Sequence, residues 1–560
     1  MRFNLDHDWQ GNMSIPRAKV GERAKIRLLI VLCAIWLCLG LTGHSPWKPY
    51  ESQSISIIKS VMEGGSWLTP LAASQTALQN PPLFYIIAAI FATLLSPILP
   101  IHDAARLSSG MWMLVTLLMI GMTGREIWGR GIGRQTTLIF IGCLGLVLSA
   151  HTLMPAVASL TGIAIAFYAL ALSKRRPYRA SVLLGLGLGV SFLSTGLLPA
   201  LMIISCSLTL PLLFAAWRSR SFASVLGLAL LFASPLLLIW PILSFLHSHT
   251  LFIQWWESSL KGFDYLHHLY FLKTLLWFAW PALPLALWGV WRFKNQLLTN
   301  PHFQLIVVFF TVSFIYIGLG CDDKEIFTLP LLIPLTALAG GSIETLKRGA
   351  ASALSWFGLT VLGLISLLIW LGWIAMLTGN PAKIKERLVF LSGLKQVHFN
   401  LFIVAIAVVI TLSWLFAIFR SQHSNRASAT NWAIGMTCVW TLLMTLWLPM
   451  LESARSYSTV FTSLKKSLPK HYACVNSNHV GDAQRDLLHY YAHIKTYPLE
   501  TVQQLNCDLY LIQDDRGRKK IEPGHDWKLI WKGKRISERK EGFRLFQTSS
   551  AKTYVPSKTR

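Results

Sequence analysis

Long apolar segments alternate with short polar ones from residue 27 to residue 450. A transmembrane helix needs about 20 predominantly apolar residues to cross a hydrocarbon layer roughly 30 Å thick. Thirteen segments approach that length, at 27–43, 107–123, 135–151, 156–173, 180–196, 197–216, 223–245, 271–291, 303–320, 326–344, 352–377, 400–418 and 430–450. The pattern therefore predicts an all-α polytopic membrane domain over residues 27–450.

Basic clusters in the short polar segments indicate the topology. They lie at 125–134, 174–179, 218–220, 292–294, 347–348 and 420–426. Loops rich in lysine and arginine face the cytoplasm. If the polar, basic tail 1–26 is cytoplasmic and the chain then crosses the membrane thirteen times, all six clusters lie on the cytoplasmic side. Residues 451–549 then form an extracytoplasmic domain, which helical and strand patterns predict to be a small α/β unit. Residues 550–560 are predicted to be disordered.

One apolar stretch breaks this alternation if it crosses the membrane. Residues 83–99 are only 17 residues long and are flanked by prolines on both sides. We therefore expect this stretch to be a juxtamembrane or re-entrant helix within the first long extracytoplasmic loop, 44–106.

Composition and charge narrow the class of protein. Of all residues, 53% are hydrophobic and 14% are charged, whereas a soluble domain carries about 25% charge. The net charge of +26 fits topology control and attraction to anionic lipid better than nucleic-acid binding, which we do not expect. No CxxC motif is present. Cys474 and Cys507 form either a disulfide or two buried thiols.

Several motifs occur in a fixed order. The first loop contains W-x-P-x-E at 47–51, GG-x-W-x-x-P at 64–70 and P-P-L-x-Y at 81–85. A-x-R-L-x-S-type, G-R-x-x-W-G and L-G-L-G-L-G segments follow at 104–110, 124–129 and 184–189, and K-x-x-F-x-L-P-x-x-P at 324–334. Across roughly residues 40–345 the order resembles the polyprenyl-phosphate-sugar-dependent membrane glycosyltransferases of the PMT and ArnT type, which have the GT-C fold.

The resemblance implies a function at the bacterial inner membrane. Such an enzyme transfers a sugar from a polyprenyl phosphate to a lipid or cell-envelope acceptor on the periplasmic side. It implies no cofactor and no resident metal. The aromatic loop with Asp264, His267 and His268 contains metal-ligand residue types, but adjacent histidines point in different directions on a helix, so no metal site is predicted.

The chain departs from the family pattern at charged positions. Acidic or lysine positions of the family are occupied here by Tyr50, Gln79, Asn80, Ala156 and Thr195. Glu51 remains as a candidate base, with a solvated loop acid or a helix-capping partner as the alternative. Candidate substrate-binding residues are Tyr50, Gln79, Asn80, Arg106, Thr195 and Lys324. A buried arginine at position 106 needs a carboxylate partner, and Asp103, three residues away, is the candidate for this structural role.

Two further functions stay open. The substitutions also fit a catalytically degenerate relative that binds polyprenyl lipid as a scaffold or partners an active paralogue. A transporter is a weaker alternative, because the spans carry almost no charges at the midplane and show no inverted repeat.

Overall fold

The computed structural model describes residues 21–74, 78–261, 268–322, 324–420, 424–499, 507–515, 523–524, 526–538 and 541–548. Most of the predicted tail 1–26, the tail 550–560, and Asp264 and His267 lie outside these residues. The first nine helices are α1 (Glu22–Cys38), α2 (Tyr50–Met62), α3 (Leu83–Leu95), α4 (Ile101–Trp128), α5 (Ile132–Ile141), α6 (Leu144–Ser149), α7 (Pro155–Leu172), α8 (Pro177–Thr195) and α9 (Leu197–Leu213).

The remaining helices extend to residue 492. They are α10 (Arg220–His247), α11 (His249–Lys261), α12 (His268–Phe278), α13 (Ala282–Arg292), α14 (Pro301–Gly320), α15 (Leu332–Ser342), α16 (Arg348–Thr378), α17 (Ala382–Ser392), α18 (Leu401–Arg420), α19 (Asn425–Thr445), α20 (Leu448–Arg455), α21 (Ser458–Lys466) and α22 (Asp482–Ala492). A 3₁₀ helix, Glu325–Leu331, leads into α15.

The helices confirm a multi-span membrane protein. Among the described residues, 8 helices are long and apolar enough to cross a membrane, or up to 10 if two bent pairs, α12–α13 and α19–α20, each count as one span. Each of the thirteen predicted segments coincides with a helix or a broken helix. The predicted spans that are not among these helices are short or interrupted, such as α1 with 17 residues and the α5–α6 pair.

The apolar stretch predicted not to cross forms α3. At 1.5 Å per residue its 13 residues extend about 20 Å, which is shorter than the hydrocarbon layer of about 30 Å. One face packs inward through Phe84, Tyr85, Ala88 and Ala92, whereas Ile90 and Leu94 are exposed. The length agrees with the expected interfacial placement, which remains a prediction.

The L-G-L-G-L-G segment permits close packing on two sides of α8. A β-carbon at Gly187 would lie 2.7 Å from the backbone nitrogen of Ala166 on α7. A β-carbon at Gly185 would lie 2.7 Å from the carbonyl oxygen of Ala229 on α10. Such distances are too short for any side chain, so the alternating glycines let α8 approach both helices. Small residues serve the same purpose at helix interfaces in membranes generally.

The C-terminal region contains a five-stranded sheet of order β2-β1-β3-β5-β4. Its strands are β1 (Val475–Asn478), β2 (Thr496–Pro498), β3 (Leu509–Asp515), β4 (Trp527–Gly533) and β5 (Glu541–Thr548). The β1 strand pairs in parallel with β2 and β3, and β5 pairs antiparallel with β3 and β4. With α21 and α22 packed on it, this sheet confirms the small α/β unit. Cys474 and Cys507 are joined by a disulfide, which decides the alternative left open by the sequence.

This α/β unit lies at the same end of the helical bundle as the first long loop. The side chain of Lys48 contacts Glu541 at 2.8 Å, and His102 at the start of α4 hydrogen-bonds the Tyr490 hydroxyl. Basic clusters meet at the other end of the bundle, where Arg175 pairs with Glu126. The orientation of these two ends across the membrane stays a prediction.

Candidate functional site

The N-terminal end of α2 forms the centre of the candidate site. The W-x-P-x-E motif leads into this helix, which begins at Tyr50 directly after Pro49. Glu51 lies in the first turn, where a carboxylate interacts favourably with the helix dipole. Its side chain is only 2% exposed, although an ionised carboxylate is costly to bury without partners.

Arg106 supplies the main partner of Glu51. It is fully buried at the start of α4. Its Nε donates to Oε1 of Glu51 at 2.7 Å and one terminal nitrogen donates to Oε2 at 3.1 Å. The other terminal nitrogen donates to Asp103 at 2.8 Å. The predicted pairing of Arg106 with Asp103 is therefore present, and Glu51 joins it in a buried network.

Backbone groups complete the hydrogen bonding of Glu51. The amide of Leu153 donates to Oε1 at 3.0 Å and the amide of Trp47 donates to Oε2 at 2.9 Å. Burial opposes ionisation, but Arg106 offsets it, and the pKa of Glu51 lies below its usual value. A carboxylate with four donors and a lowered pKa is a weak proton acceptor. The assignment of Glu51 as the base stays a prediction, and this geometry favours a positioning role.

Tyr50 lies on the other side of the same turn. Its side chain is half-buried, and burial together with the charge of Glu325 and the nearby Tyr270 raises its pKa. Glu325 begins the 3₁₀ helix that precedes α15 and is exposed. The fold thus brings an available carboxylate towards the tyrosine that replaces the family's acid. Sequence analysis did not select Glu325, because 275 residues separate it from Tyr50 and no local pattern marks the contact.

The P-P-L loop and the residue that follows α8 approach each other at this end of the bundle. A β-carbon at Gly196 would lie 3.9 Å from Pro81 and 3.4 Å from the Trp255 ring. The Thr195 hydroxyl donates to Ser159 of α7 at 2.9 Å. This neutral hydrogen bond joins the end of α8 to the beginning of α7, which contains Ala156.

The amides in the first loop have partners within it. Gln79 accepts a hydrogen bond from Gln53 at 2.7 Å, and Asn80 lies 3.5 Å from the Tyr85 hydroxyl. Lys324 pairs with Asp322 at 3.0 Å, and both side chains are more than half exposed. No contact described in the structure joins Lys324 to the other predicted residues. Their roles in substrate binding stay predictions.

Comparisons with known proteins relate the chain to one enzyme class. No family model matches the sequence. The chain is 22% identical over 361 residues to the undecaprenyl phosphate-alpha-4-amino-4-deoxy-L-arabinose arabinosyl transferase of Photorhabdus laumondii, covering 61% of this chain and 64% of that protein. The transferase of the same name from Pseudomonas paraeruginosa is 24% identical over 370 residues, covering 62% and 65%. The matches thus span less than two thirds of these relatives.

The structural match extends much further. The crystal structure of ArnT from Cupriavidus metallidurans bound to undecaprenyl phosphate superimposes with a TM-score of 0.68 at 14% sequence identity, covering 96% of this chain and 100% of that one. Its apo state superimposes with a TM-score of 0.66, covering 93% and 97%. Identity this low establishes the fold alone. The chain therefore has the GT-C fold, and its sequence is similar to those of the arabinosyl transferases named above.

Proposed function

We propose that this protein transfers a sugar from a polyprenyl-phosphate donor to a lipid or cell-envelope acceptor. The observation that carries the proposal is the whole-chain match to a structure whose described ligand is undecaprenyl phosphate. The sequence relatives named as arabinosyl transferases support it. Neither the sugar nor the acceptor follows from these relatives, because the matched part covers 64–65% of their length.

The reaction requires one bond to break and one to form. The bond between the anomeric carbon of the sugar and the phosphate oxygen breaks, and polyprenyl phosphate leaves with the electron pair. An acceptor oxygen bonds to the anomeric carbon and loses its proton to a carboxylate. Such a base typically contributes about 10²–10⁴-fold to the rate.

We propose Glu325 as this base and Glu51 as the residue that positions Tyr50. Glu325 is exposed, and its charge acts on the Tyr50 hydroxyl, which supports a carboxylate on the same side as an acceptor bound at Tyr50. Glu51 is enclosed by four donors and fixes the turn that carries Tyr50.

We also propose that the site faces the periplasm from the inner membrane. The disulfide between Cys474 and Cys507 is typical of an oxidising compartment, and the α/β unit that contains it packs on the first loop. The basic clusters at the opposite end then face the cytoplasm. A reporter fused after Ser549 is expected to be active in the periplasm. A reporter active in the cytoplasm would contradict this orientation.

A transfer assay tests the proposed function. Purified protein in detergent receives polyprenyl-phosphate-linked sugars and an envelope lipid extract, and the product is detected by mass spectrometry. We expect transfer by the wild type and its loss in Glu325→Gln, while Lys528→Met on the exposed part of β4 remains active. If folded protein transfers no sugar from any donor, the proposed transferase activity is wrong.

A catalytically degenerate relative is the second candidate function. The five substituted positions carry no charge, and Thr195 already uses its hydroxyl on Ser159. This alternative predicts saturable binding of polyprenyl phosphate without transfer, and restoration of transfer only when an active paralogue is added. Binding measured by native mass spectrometry separates this scaffold from the enzyme.

A further inference from the structure

A cavity lies at the opposite end of α2 from Tyr50. It has a volume of about 350 Å³ and opens between the C-terminal end of α2, the end of α22 and the edge strand β2. The thirteen residues of α2 place it about 20 Å from the candidate transfer site. Its volume falls within the range of about 300–1,000 Å³ that is typical of small-molecule sites.

The walls of the cavity are held in place by a buried lysine and a disulfide. The Nζ of Lys59 donates to the carbonyl oxygens of His489 at 3.0 Å and of Tyr490 at 2.8 Å, and it lies 2.9 Å from Nδ1 of His493. These contacts neutralise the C-terminal end of α22, where a cation is favourable. Cys474, which is bonded to Cys507, forms part of the wall.

The polar groups facing the cavity are mixed donors and acceptors. Burial and the charge of Lys59 lower the pKa of His489 to about 4, and the same two causes lower that of His493. At neutral pH each imidazole is therefore uncharged. Nδ1 of His493 accepts from Lys59 and Nδ1 of His489 is bonded to Ser56, so each ring offers only its Nε2 to a ligand. Glu63 adds an acceptor and Lys495 adds a donor.

Two tyrosines provide the apolar surface. Tyr472 and Tyr497 both line the cavity, and Tyr497 lies on β2 with 39% of its side chain exposed. A tyrosine combines an apolar ring face with a hydroxyl group that forms hydrogen bonds. The cavity therefore offers both ring faces and hydrogen-bonding groups.

His493 holds an unfavourable backbone conformation at this cavity. Its φ is 61°, in the left-handed region where glycine or asparagine is preferred at the end of a helix. Residues in such conformations concentrate at functional sites, because the surrounding structure must compensate for the strain. The imidazole of His493 lines the cavity. A glycine would adopt this conformation more easily, but it would leave the cavity without that polar ring.

We propose that this cavity binds a saccharide of one or two rings. Hydroxyl groups need donors and acceptors together, and the C–H faces of a sugar need an aromatic surface. An anion fits less well because Glu63 faces the cavity. Among the described residues no group of three histidines, cysteines or acids is arranged to hold a metal ion. The inference goes beyond the proposed transferase, since binding here requires no donor lipid.

Binding is tested on full-length protein in detergent, without donor. Saturation-transfer NMR is measured with soluble mono- and disaccharides of glucose, glucosamine and mannose at about 10 mM, and titration calorimetry with the same sugars carried on a lipid. We expect binding of at least one sugar, and about tenfold weaker binding in Tyr497→Ala and in His493→Asn. Asparagine tolerates the left-handed conformation, so this variant removes the ring without new strain.

His479→Asn is the matched control. His479 has a φ of 55° in the same α/β unit and is not among the residues that line the cavity. Its substitution is expected to leave binding unchanged. Binding of both soluble and lipid-linked sugars indicates a free saccharide site, and binding of lipid-linked sugars alone indicates the headgroup of a lipid. No binding of any probe, or equal binding in all three variants, would overturn the proposal. An inactive protein that still binds would refute only the transferase.

Discussion

Each end of α2 has a buried charged side chain with an exposed carboxylate nearby, and the buried charges at the two ends have opposite sign. At the N-terminal end, Glu51 is buried and bonded to Arg106, and the exposed Glu325 lies near its neighbour Tyr50. At the C-terminal end, Lys59 is buried and bonded to the end of α22, and the half-exposed Glu63 lies 3.9 Å away. In each case the buried charge holds two parts of the chain together, and the exposed carboxylate borders a cavity or a candidate site.

The two ends show that a buried charge and an exposed carboxylate have different roles, one in stability and one in function. A buried charge whose hydrogen bonds are all satisfied is costly to disturb, but it is a poor reagent because its proton affinity is fixed by its partners. An exposed carboxylate adds little stability and remains free to exchange protons or to accept a hydroxyl group. We therefore expect substitutions at buried charges to change stability and those at exposed carboxylates to change function.

The largest effect is expected for Arg106→Met. It leaves Glu51 and Asp103 buried without a cation, which typically costs about 3–5 kcal/mol. Thermal unfolding in detergent, followed by tryptophan fluorescence, measures the loss. Arg175→Met removes an ion pair in which the arginine is 57% exposed and Glu126 is 10% exposed, and it is expected to lower the Tm far less. Equal Tm values for the two variants would contradict the structural role of the buried network.

Glu325→Gln tests the exposed member of the N-terminal pair. We expect kcat to fall by about 10²–10³-fold with no change in Tm, because the side chain is exposed. Glu51→Gln is expected to lower the Tm, since glutamine cannot accept four hydrogen bonds from charged and amide donors. If Glu51→Gln abolishes transfer at an unchanged Tm, Glu51 is the base and the assignment to Glu325 is wrong.

Asp486 on α22 is expected to make the stability of the protein depend on pH. It faces the first loop, where its Oδ1 accepts the amide of Ser74 at 3.0 Å, and burial raises its pKa to about 6. The folded state then binds a proton more tightly than the unfolded one. Stability from this group is greatest below about pH 4 and decreases by about 2–3 kcal/mol as the pH rises to 6.

Asp486→Asn removes that dependence. The difference in Tm between this variant and the wild type, measured from pH 4 to pH 7, cancels the opposite titration of His489 and His493. We expect the difference to grow in favour of the variant as the pH rises. A constant difference would show that Asp486 ionises normally in the folded protein.

Lys59→Met tests the buried charge at the C-terminal end. Its ammonium group donates to two carbonyl oxygens of α22, and hydrogen bonds to charged groups contribute about 1.5–3 kcal/mol. We expect a loss of about 2 kcal/mol and faster amide exchange in α22. Lys528→Met, on the exposed part of β4, provides the control. Unchanged exchange in α22 would show that the α/β unit is held to the bundle by other contacts.

The smallest effect is expected for Glu63→Gln. The carboxylate is 49% exposed and 3.9 Å from Lys59, so screening by water limits the loss of stability to about 0.5 kcal/mol or less. The same variant should weaken saccharide binding in the cavity. A large loss of stability would place Glu63 with the buried charges and remove the parallel between the two ends.

The helical architecture and the ends of the protein follow from local patterns. Apolar segments predict helices because a membrane leaves no other partner for backbone amides, and every predicted segment contains helix. Basic clusters, which are also local, predict the orientation of the helices in the membrane. The alternating glycines of α8 and the P-P-L loop identified the GT-C resemblance without any knowledge of packing.

Tertiary structure decided how the charged residues are used. The sequence presents Glu51, Arg106 and Glu325 as three isolated residues, and it favours Glu51 as the base because that residue matches the family motif. Only the fold shows that Arg106 and two backbone amides enclose Glu51, and that Glu325 lies near Tyr50. Burial and proximity depend on contacts between segments up to hundreds of residues apart, so no local pattern encodes them. For the same reason the sequence does not predict the cavity at the C-terminal end of α2, which forms only where α22 and β2 lie beside that helix.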